Sequence, residues 1–280
     1  MAIQSATNTD NSLALTTAVP LTQHPAAVYL STLGKGSRYT MKQSLNAIAS
    51  ILTNGECDHL TLNWAALKYE HIAAVQAALI GRYEPATAQK MMCALRRVLK
   101  EARKLRLIDG EIYEAAVDLP PIKSTKNLRG RALSKDEIAA LLEVCRDDPT
   151  SQGVRDAALI GILRGAGLRR AEVVKLKLSD FQPDISALEI YSGKGGKDRT
   201  VYLPDGAIKL VENWLTIRGT EPGSLLCPIR KTGKIELRQM TPHAVLLIVQ
   251  KRAEQAGVES FSPHDFRRTF CSDLLDAGVD

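Results

Sequence analysis

Ser262-Pro263-His264-Asp265-Phe266-Arg267-Arg268-Thr269-Phe270 opens a helix and puts basic side chains where a helix favours an anion. Ser262 is a strong N-cap, and Pro263 suits the first helical position, where its missing N–H costs nothing. His264 and Arg267 are three residues apart and so share one face of the first turn. Unpaired backbone N–H groups and the helix dipole favour negative charge there. A lone histidine is usually structural. A histidine and an arginine on one capped first turn point to an anionic ligand, and Arg268 beside them suits a backbone contact to a polyanion or a place in solvent. The helix is expected over 263–277.

Upstream, Gly167-Leu168-Arg169-Arg170-Ala171-Glu172 follows a helix expected over 153–165 and leads into one expected over 170–177. The glycine turn places the Arg169 guanidinium near a helix N-terminus, and Glu172 shares the helical face of Arg169 and can buttress it. A basic residue after a capping glycine is common, so this segment alone carries moderate weight. Between the two motifs lies Ser192-Gly193-Lys194-Gly195-Gly196-Lys197, a turn joining strand-like runs at 188–191 and 200–203. It projects Lys194 from a hairpin tip, with Lys197 and Arg199 adding positive charge. Such a hairpin is more often only a turn.

Further out, residues 24–118 read as nearly all helix, with segments expected at 25–33, 37–52, 63–82 and 87–105. In the last, Met91, Leu95, Val98, Leu99 and Ala102 recur at helical spacing. Its other face carries Lys90, Arg96, Arg97, Lys100, Arg103, Lys104 and Arg106, opposed only by Glu101. A charged face is usually just solvated, but one of nearly single sign favours phosphate contacts. Pro120-Pro121 ends this region. Lys123, Lys126, Arg129 and Arg131 follow without an acidic residue, as a linker made soluble by charge or one that tracks phosphates. Ser134 and Glu137 then have capping-box spacing, and further helices are expected at 207–217 and 242–256. The fold class is therefore mainly α with a small β-sheet. Its parts are a flexible tail (1–22), a helical domain (23–118), a basic linker (119–132) and a second domain (133–280).

The chain has 280 residues, 45% of them hydrophobic, which suffices for a packed core. Its formal net charge of +6 favours an acidic partner, although a merely basic soluble protein fits the charge equally well. Aromatics are 5% of residues, which favours duplex-backbone binding over base stacking on single strands. No apolar run approaches membrane-spanning length, and residues 1–21 do not read as a secretory signal. Cys57, Cys93, Cys145, Cys227 and Cys271 are scattered, odd in number and without a Cys-x-x-Cys pair. That argues against a disulfide framework or zinc site and fits a reducing cytoplasm.

Phosphodiester cleavage without a metal would use such residues. The phosphorane transition state gains charge on its non-bridging oxygens, which guanidinium groups neutralise with bidentate geometry that lysine lacks. A lysine or histidine must protonate the leaving 5′ oxygen. A tyrosine nucleophile would conserve the bond energy in a 3′-phosphotyrosyl link.

The ordered combination of Gly-Leu-Arg-x-x-Glu, a Gly-Lys-Gly hairpin and His-x-x-Arg, behind a basic helical region, resembles the tyrosine recombinases of the phage integrase family from about residue 25 to 280. The resemblance implies an N-terminal helical core-binding (SAM-like) domain and a C-terminal α+β catalytic domain that clamp double-stranded DNA. Arg169 and Arg267 would hold the scissile phosphate, with Glu172 supporting Arg169. Lys194 would be the general acid, and His264 would assist proton transfer or bind phosphate. Arg96, Arg97, Lys100, Lys104, Lys123, Lys126, Arg129, Arg131, Lys197 and Arg268 would contact DNA. The resemblance further implies site-specific recombination by a tetramer of protomers through a Holliday junction, with no cofactor, metal or membrane, in the cytoplasm or nucleoid of a prokaryotic cell.

The family's pattern continues beyond His-x-x-Arg to a nucleophilic tyrosine, whereas no tyrosine follows Tyr202 in these residues. Tyr191 and Tyr202 sit in strand contexts that suit core or DNA-facing positions, so no nucleophile is assigned, and the chain is expected to be cut short and inactive as given. The alternative is a non-catalytic duplex-DNA-binding protein with a truncated recombinase fold. A type IB topoisomerase shares the chemistry but fits the domain pair less well, and a phosphate-metabolising enzyme lacks a P-loop.

Overall fold

A computed structural model describes residues 13–123, 130–191 and 198–278. The chain divides into two compact units, Met1–Lys126 and Asn127–Asp280.

The first unit is helical: α1 (Pro25–Ser31), α2 (Lys35–Thr53), α3 (Tyr69–Arg82), α4 (Pro85–Lys104) and α5 (Gly110–Val117). Helix α4 is central and packs on the other four. Proline at its N-terminus starts it, and Met91, Met92, Leu95, Val98 and Leu99 form its buried stripe. Each such side chain taken fully from water contributes roughly 1.5–3 kcal/mol. The helix expected at 63–82 is broken in two. Trp64 is buried and its indole N–H donates to His59 O at 3.0 Å, which draws residues 64–66 into a single 3-10 turn. Lys68 is extended before α3 begins. Helix α5 is capped by Asp109, which accepts from Glu111 N at 2.9 Å.

Two expected boundaries shift. Residues 13–15, expected within the tail, pair with 61–63 through Leu15 N to Thr61 O and Asn63 N to Leu13 O, both 2.8 Å. Residues 119–122, expected as linker, are fastened to this unit. Gln76 Nε2 donates to Pro120 O at 2.8 Å, Arg96 Nη2 to Leu119 O at 2.8 Å, and Ile122 N to Gln89 Oε1 at 2.9 Å. These are backbone groups that would otherwise need water, so the side chains hold the segment in place.

The second unit contains α6 (Lys135–Arg146), α7 (Ser151–Ala166), α8 (Arg170–Val173), β1 (Phe181–Gln182), β2 (Ala187–Ile190), β3 (Arg199–Tyr202), α9 (Asp205–Arg218), α10 (Pro242–Gln255) and α11 (Pro263–Asp276). The antiparallel sheet runs β1-β2-β3, with Ile190 opposite Arg199 and Ala187 opposite Tyr202. Helix α7 is buried on nearly every face and packs against α6, α9 and α11. Gly165 permits that approach, since a Cβ there would lie 2.8 Å from Pro204 Cδ. The Ser134–Glu137 capping box starts α6.

The helix expected over 170–177 lasts one turn. Leu178 N donates to Gly223 O at 2.9 Å and Leu225 N to Leu176 O at 2.8 Å, so pairing with 223–225 diverts the backbone. At the unit's centre Asp156, 2% exposed, accepts from Arg155 Nε at 2.9 Å and Arg252 Nε at 2.9 Å. Arg252 Nη2 also donates to Asp148 at 2.6 Å, so these buried charges are paired, as burial requires.

Candidate active site

Helix α7 ends because Gly167 turns left-handed, with φ +57°. A side chain is excluded there twice: the conformation favours glycine, and a Cβ would lie 2.5 Å from Phe270 Cδ1. Leu168 is fully buried and anchors the turn. Arg169 then caps α8. Its backbone N–H donates to Glu172 Oε2 at 2.8 Å and its Nη1 to Glu172 Oε1 at 2.9 Å. The Arg169 side chain is 38% exposed against 8% for Glu172, so the carboxylate holds one edge of a guanidinium that still faces solvent.

A second arginine shares that carboxylate. Arg199 opens β3 and donates from Nη1 to Glu172 Oε1 at 3.3 Å and from Nη2 to Oε2 at 3.1 Å. Burial would raise the Glu172 pKa, but the bonds from Arg199 and from the Arg169 backbone and side chain outweigh it. The carboxyl stays below the ordinary glutamate value.

Helix α11 supplies the other face of the site. Asp265, 3% exposed, accepts from Ser262 N at 2.8 Å, Ser262 Oγ at 3.0 Å and Arg131 N at 3.2 Å. Thr269 Oγ1 donates to Asp265 O at 2.9 Å and accepts from Leu133 N at 2.8 Å. Phe266 is buried edge-on against Phe261, with ring centroids 5.2 Å apart. With Asp265, Phe266 and Thr269 turned inward, His264 is exposed and Arg267 half-buried. Arg267 Nη1 donates to Gly167 O at 2.7 Å. The structure therefore brings Arg267 to the turn that carries Arg169, with Glu172 behind it. Convergent guanidinium groups at a half-exposed surface suit a tetrahedral oxyanion such as a phosphodiester.

The remaining expected contacts differ in their surroundings. Lys126, Arg129, Lys194 and Lys197 lie outside the described residues. Arg131 forms a two-pronged pair with Glu137, from Nη1 to Oε2 at 2.7 Å and from Nη2 to Oε1 at 2.6 Å. Those bonds hold the Glu137 pKa down at about 2. Arg268 Nη1 donates to Gly130 O at 3.1 Å. In the first unit, Arg97 and Lys104 both reach the buried Glu101, at 3.4 and 3.0 Å. Arg96 is spent on Leu119 O. Lys100 and Lys123 are exposed and form no ion pair among the described residues. Tyr191 and Tyr202 are both exposed. No three His, Cys, Asp or Glu side chains among the described residues gather as a metal site would require. No helix there is long and apolar enough to cross a membrane.

A profile described as the phage integrase family matches residues 131–280, more than half of the chain. The chain belongs to the phage integrase family. It is 34% identical to the tyrosine recombinase XerA of Thermococcus kodakarensis over 187 residues, covering 67% of this chain and 63% of that one. It is 30% identical to the XerA of Pyrococcus furiosus over 150 residues, covering 54% of this chain and 50% of that one. The chain thus spans between half and two thirds of the length of these two curated relatives. The lambda integrase (75–356) dimer bound to a COC′ core site superposes with a TM-score of 0.67 at 15% identity, covering 92% of this chain and 89% of that one, a likeness of fold.

Three residues of the candidate site are not placed by the sequence motifs. Arg199 is only an added charge in the sequence, yet it bonds Glu172. Asp265 and Thr269 belong to none of the basic motifs, yet they fix α11. Ser262-x-x-Asp265 has capping-box spacing, a signal that would have found Asp265. Nothing local marks Thr269, whose partner Leu133 is distant in sequence.

Proposed function

We propose that the chain is the DNA-binding and phosphate-clamping part of a site-specific recombinase that breaks and rejoins duplex DNA through a 3′-phosphotyrosyl link. The observation that carries this reading is the bond from Arg267 to Gly167 O, beside an Arg169 held by Glu172. In this reading Arg169 and Arg267 neutralise the scissile phosphate, Lys194 protonates the leaving oxygen, and His264 assists that transfer or binds phosphate. Lys100, Lys104, Lys123 and neighbouring basic residues of the first unit and linker bind duplex backbone. The partners are double-stranded DNA and further protomers in a tetramer, in the cytoplasm or nucleoid. Family membership and the lambda-integrase-like fold support this reading.

This reading assigns no nucleophile among these residues. The test has two parts. Fluorescence anisotropy on duplex DNA selected from a random pool should show site preference and affinity that falls steeply with salt. Extending the chain with a tyrosine-bearing family segment should yield covalent protein–DNA adducts on a nicked substrate. Selective binding without adducts leaves a non-catalytic DNA-binding protein, and binding that ignores both salt and sequence removes the DNA reading altogether.

A further inference from the structure

We infer that Arg199 is a positioning residue for Arg169, acting through the Glu172 carboxylate they share. The inference rests on the phosphate-clamp reading of this site and adds a member to it.

Glu172 is 8% exposed and carries four donors from two directions. From α8 come the Arg169 N–H and Nη1, and from β3 come both terminal nitrogens of Arg199. Each carboxylate oxygen accepts once from each side, at distances from 2.8 to 3.3 Å. Both Arg199 bonds go to Glu172, a fork-on-fork pairing that fixes the plane of the carboxylate as well as its place. A fixed plane fixes the line along which Arg169 Nη1 must approach. Without Arg199 each carboxylate oxygen would keep one bond, Oε2 from the Arg169 N–H and Oε1 from Arg169 Nη1, and the carboxylate would be braced from the α8 side alone.

Local sequence cannot supply a substitute. Glu172 also borders a cavity of 390 Å³, with Lys175, Lys177, Glu189, Tyr191 and Gln239 among its lining residues. Among the described residues, neither lysine side chain of that wall bonds to the Glu172 carboxylate, whose partners are Arg169 and Arg199. A carboxylate buried at this depth needs more than one charge-assisted bond to stay ionised. Arg199 stands 27 residues away, on a strand whose pairing with β2 is fixed by Ile190 opposite Arg199. The sheet therefore brings the second cation, and the alternation along β3 turns it towards the site, with Arg199 and Val201 half-buried and Thr200 and Tyr202 exposed. Nothing in this arrangement requires Arg199 to touch DNA.

The test uses the 280-residue protein with 15N-labelled arginine. The Arg169 Nε–Hε signal is identified by its loss in Arg169→Lys, and inorganic phosphate is the probe. In the unaltered protein, phosphate should shift the Arg169 signal. In Arg199→Gln that signal should move and broaden before any phosphate is added. Phosphate affinity should fall about fivefold, as expected for losing hydrogen bonds to a charged group. Arg199→Lys, which restores the charge and one donor to Glu172, should recover part of both effects. An Arg169 signal unmoved in a folded Arg199→Gln overturns the inference, even if phosphate binds more weakly, because Arg199 would then be contacting phosphate itself. If Arg199→Gln does not fold, Arg199→Lys decides by the same criterion. If phosphate fails to shift Arg169 in the unaltered protein, the phosphate-clamp reading fails, while the Arg169 signal in the Arg199 variants still judges the positioning role.

Discussion

Arg267 Nη1 donates to the carbonyl oxygen of Gly167 at 2.7 Å, joining two segments a hundred residues apart in sequence. The same glycine is left-handed, with Phe270 of α11 stacked where its Cβ would be. The turn before Arg169 and the helix carrying Arg267 are thus one packed unit. Gly167→Ala should destabilise the protein by about 2–4 kcal/mol, combining left-handed strain with overpacking. Urea unfolding measures this, and a loss of under about 1 kcal/mol would mean that the turn adapts.

Arg267→Lys separates geometry from charge. Lysine keeps the positive charge but cannot hold a carbonyl and a phosphate with one planar fork. The unfolding midpoint should change little, whereas affinity for the selected duplex should fall about tenfold. Equal affinity in the two proteins would place Arg267 outside the phosphate site.

The basic face of α4 divides by partner. Lys100 is exposed without an ion pair among the described residues, whereas Arg96 holds Leu119 O. Lys100→Ala should lower the slope of log K against log salt by about one, with stability unchanged. Arg96→Ala should leave that slope nearly intact and instead make the amide hydrogens of Leu119 and Ile122 exchange faster. The reverse pattern would reassign the two residues.

Arg131 holds Glu137 at a pKa of about 2, below the ordinary 4.5. A carboxylate depressed in the folded state stabilises it fully above the unfolded pKa and loses that contribution as pH falls towards the folded one. Stability should therefore drop between about pH 4.5 and pH 2, and Glu137→Gln should flatten that part of the curve. Denaturant midpoints measured across this range decide it, and parallel curves for the two proteins would assign the acid sensitivity elsewhere.

The five cysteines should fall into two classes. Cys93 and Cys271 are exposed, whereas Cys57, Cys145 and Cys227 are buried. Burial pushes the Cys145 thiol up to about 12, far from the reactive thiolate. At pH 8 a thiol reagent should modify Cys93 and Cys271 quickly and the other three only on unfolding. Fast native labelling of Cys145 would show that the second unit opens.

By itself the sequence determined whatever depends on neighbours along the chain. The stripe of Met91, Leu95, Val98 and Leu99 marks α4, Ser134 and Glu137 mark the start of α6, and Ser262-Pro263 marks the start of α11. Arg169 and Arg267 stand out because their motifs are local. Only the tertiary structure decided what depends on distant partners. Trp64 breaks a helix by burying itself, pairing with residues 223–225 ends α8 early, and the short strand β1 exists only beside β2. Arg96 and Arg131 look like free cations in the sequence but are engaged by Leu119 O and Glu137 in the fold. The physical reason is range. Helix propensity and capping act over three or four residues, whereas a charge is claimed by whichever partner the packing brings to it, as Glu172 is by Arg199.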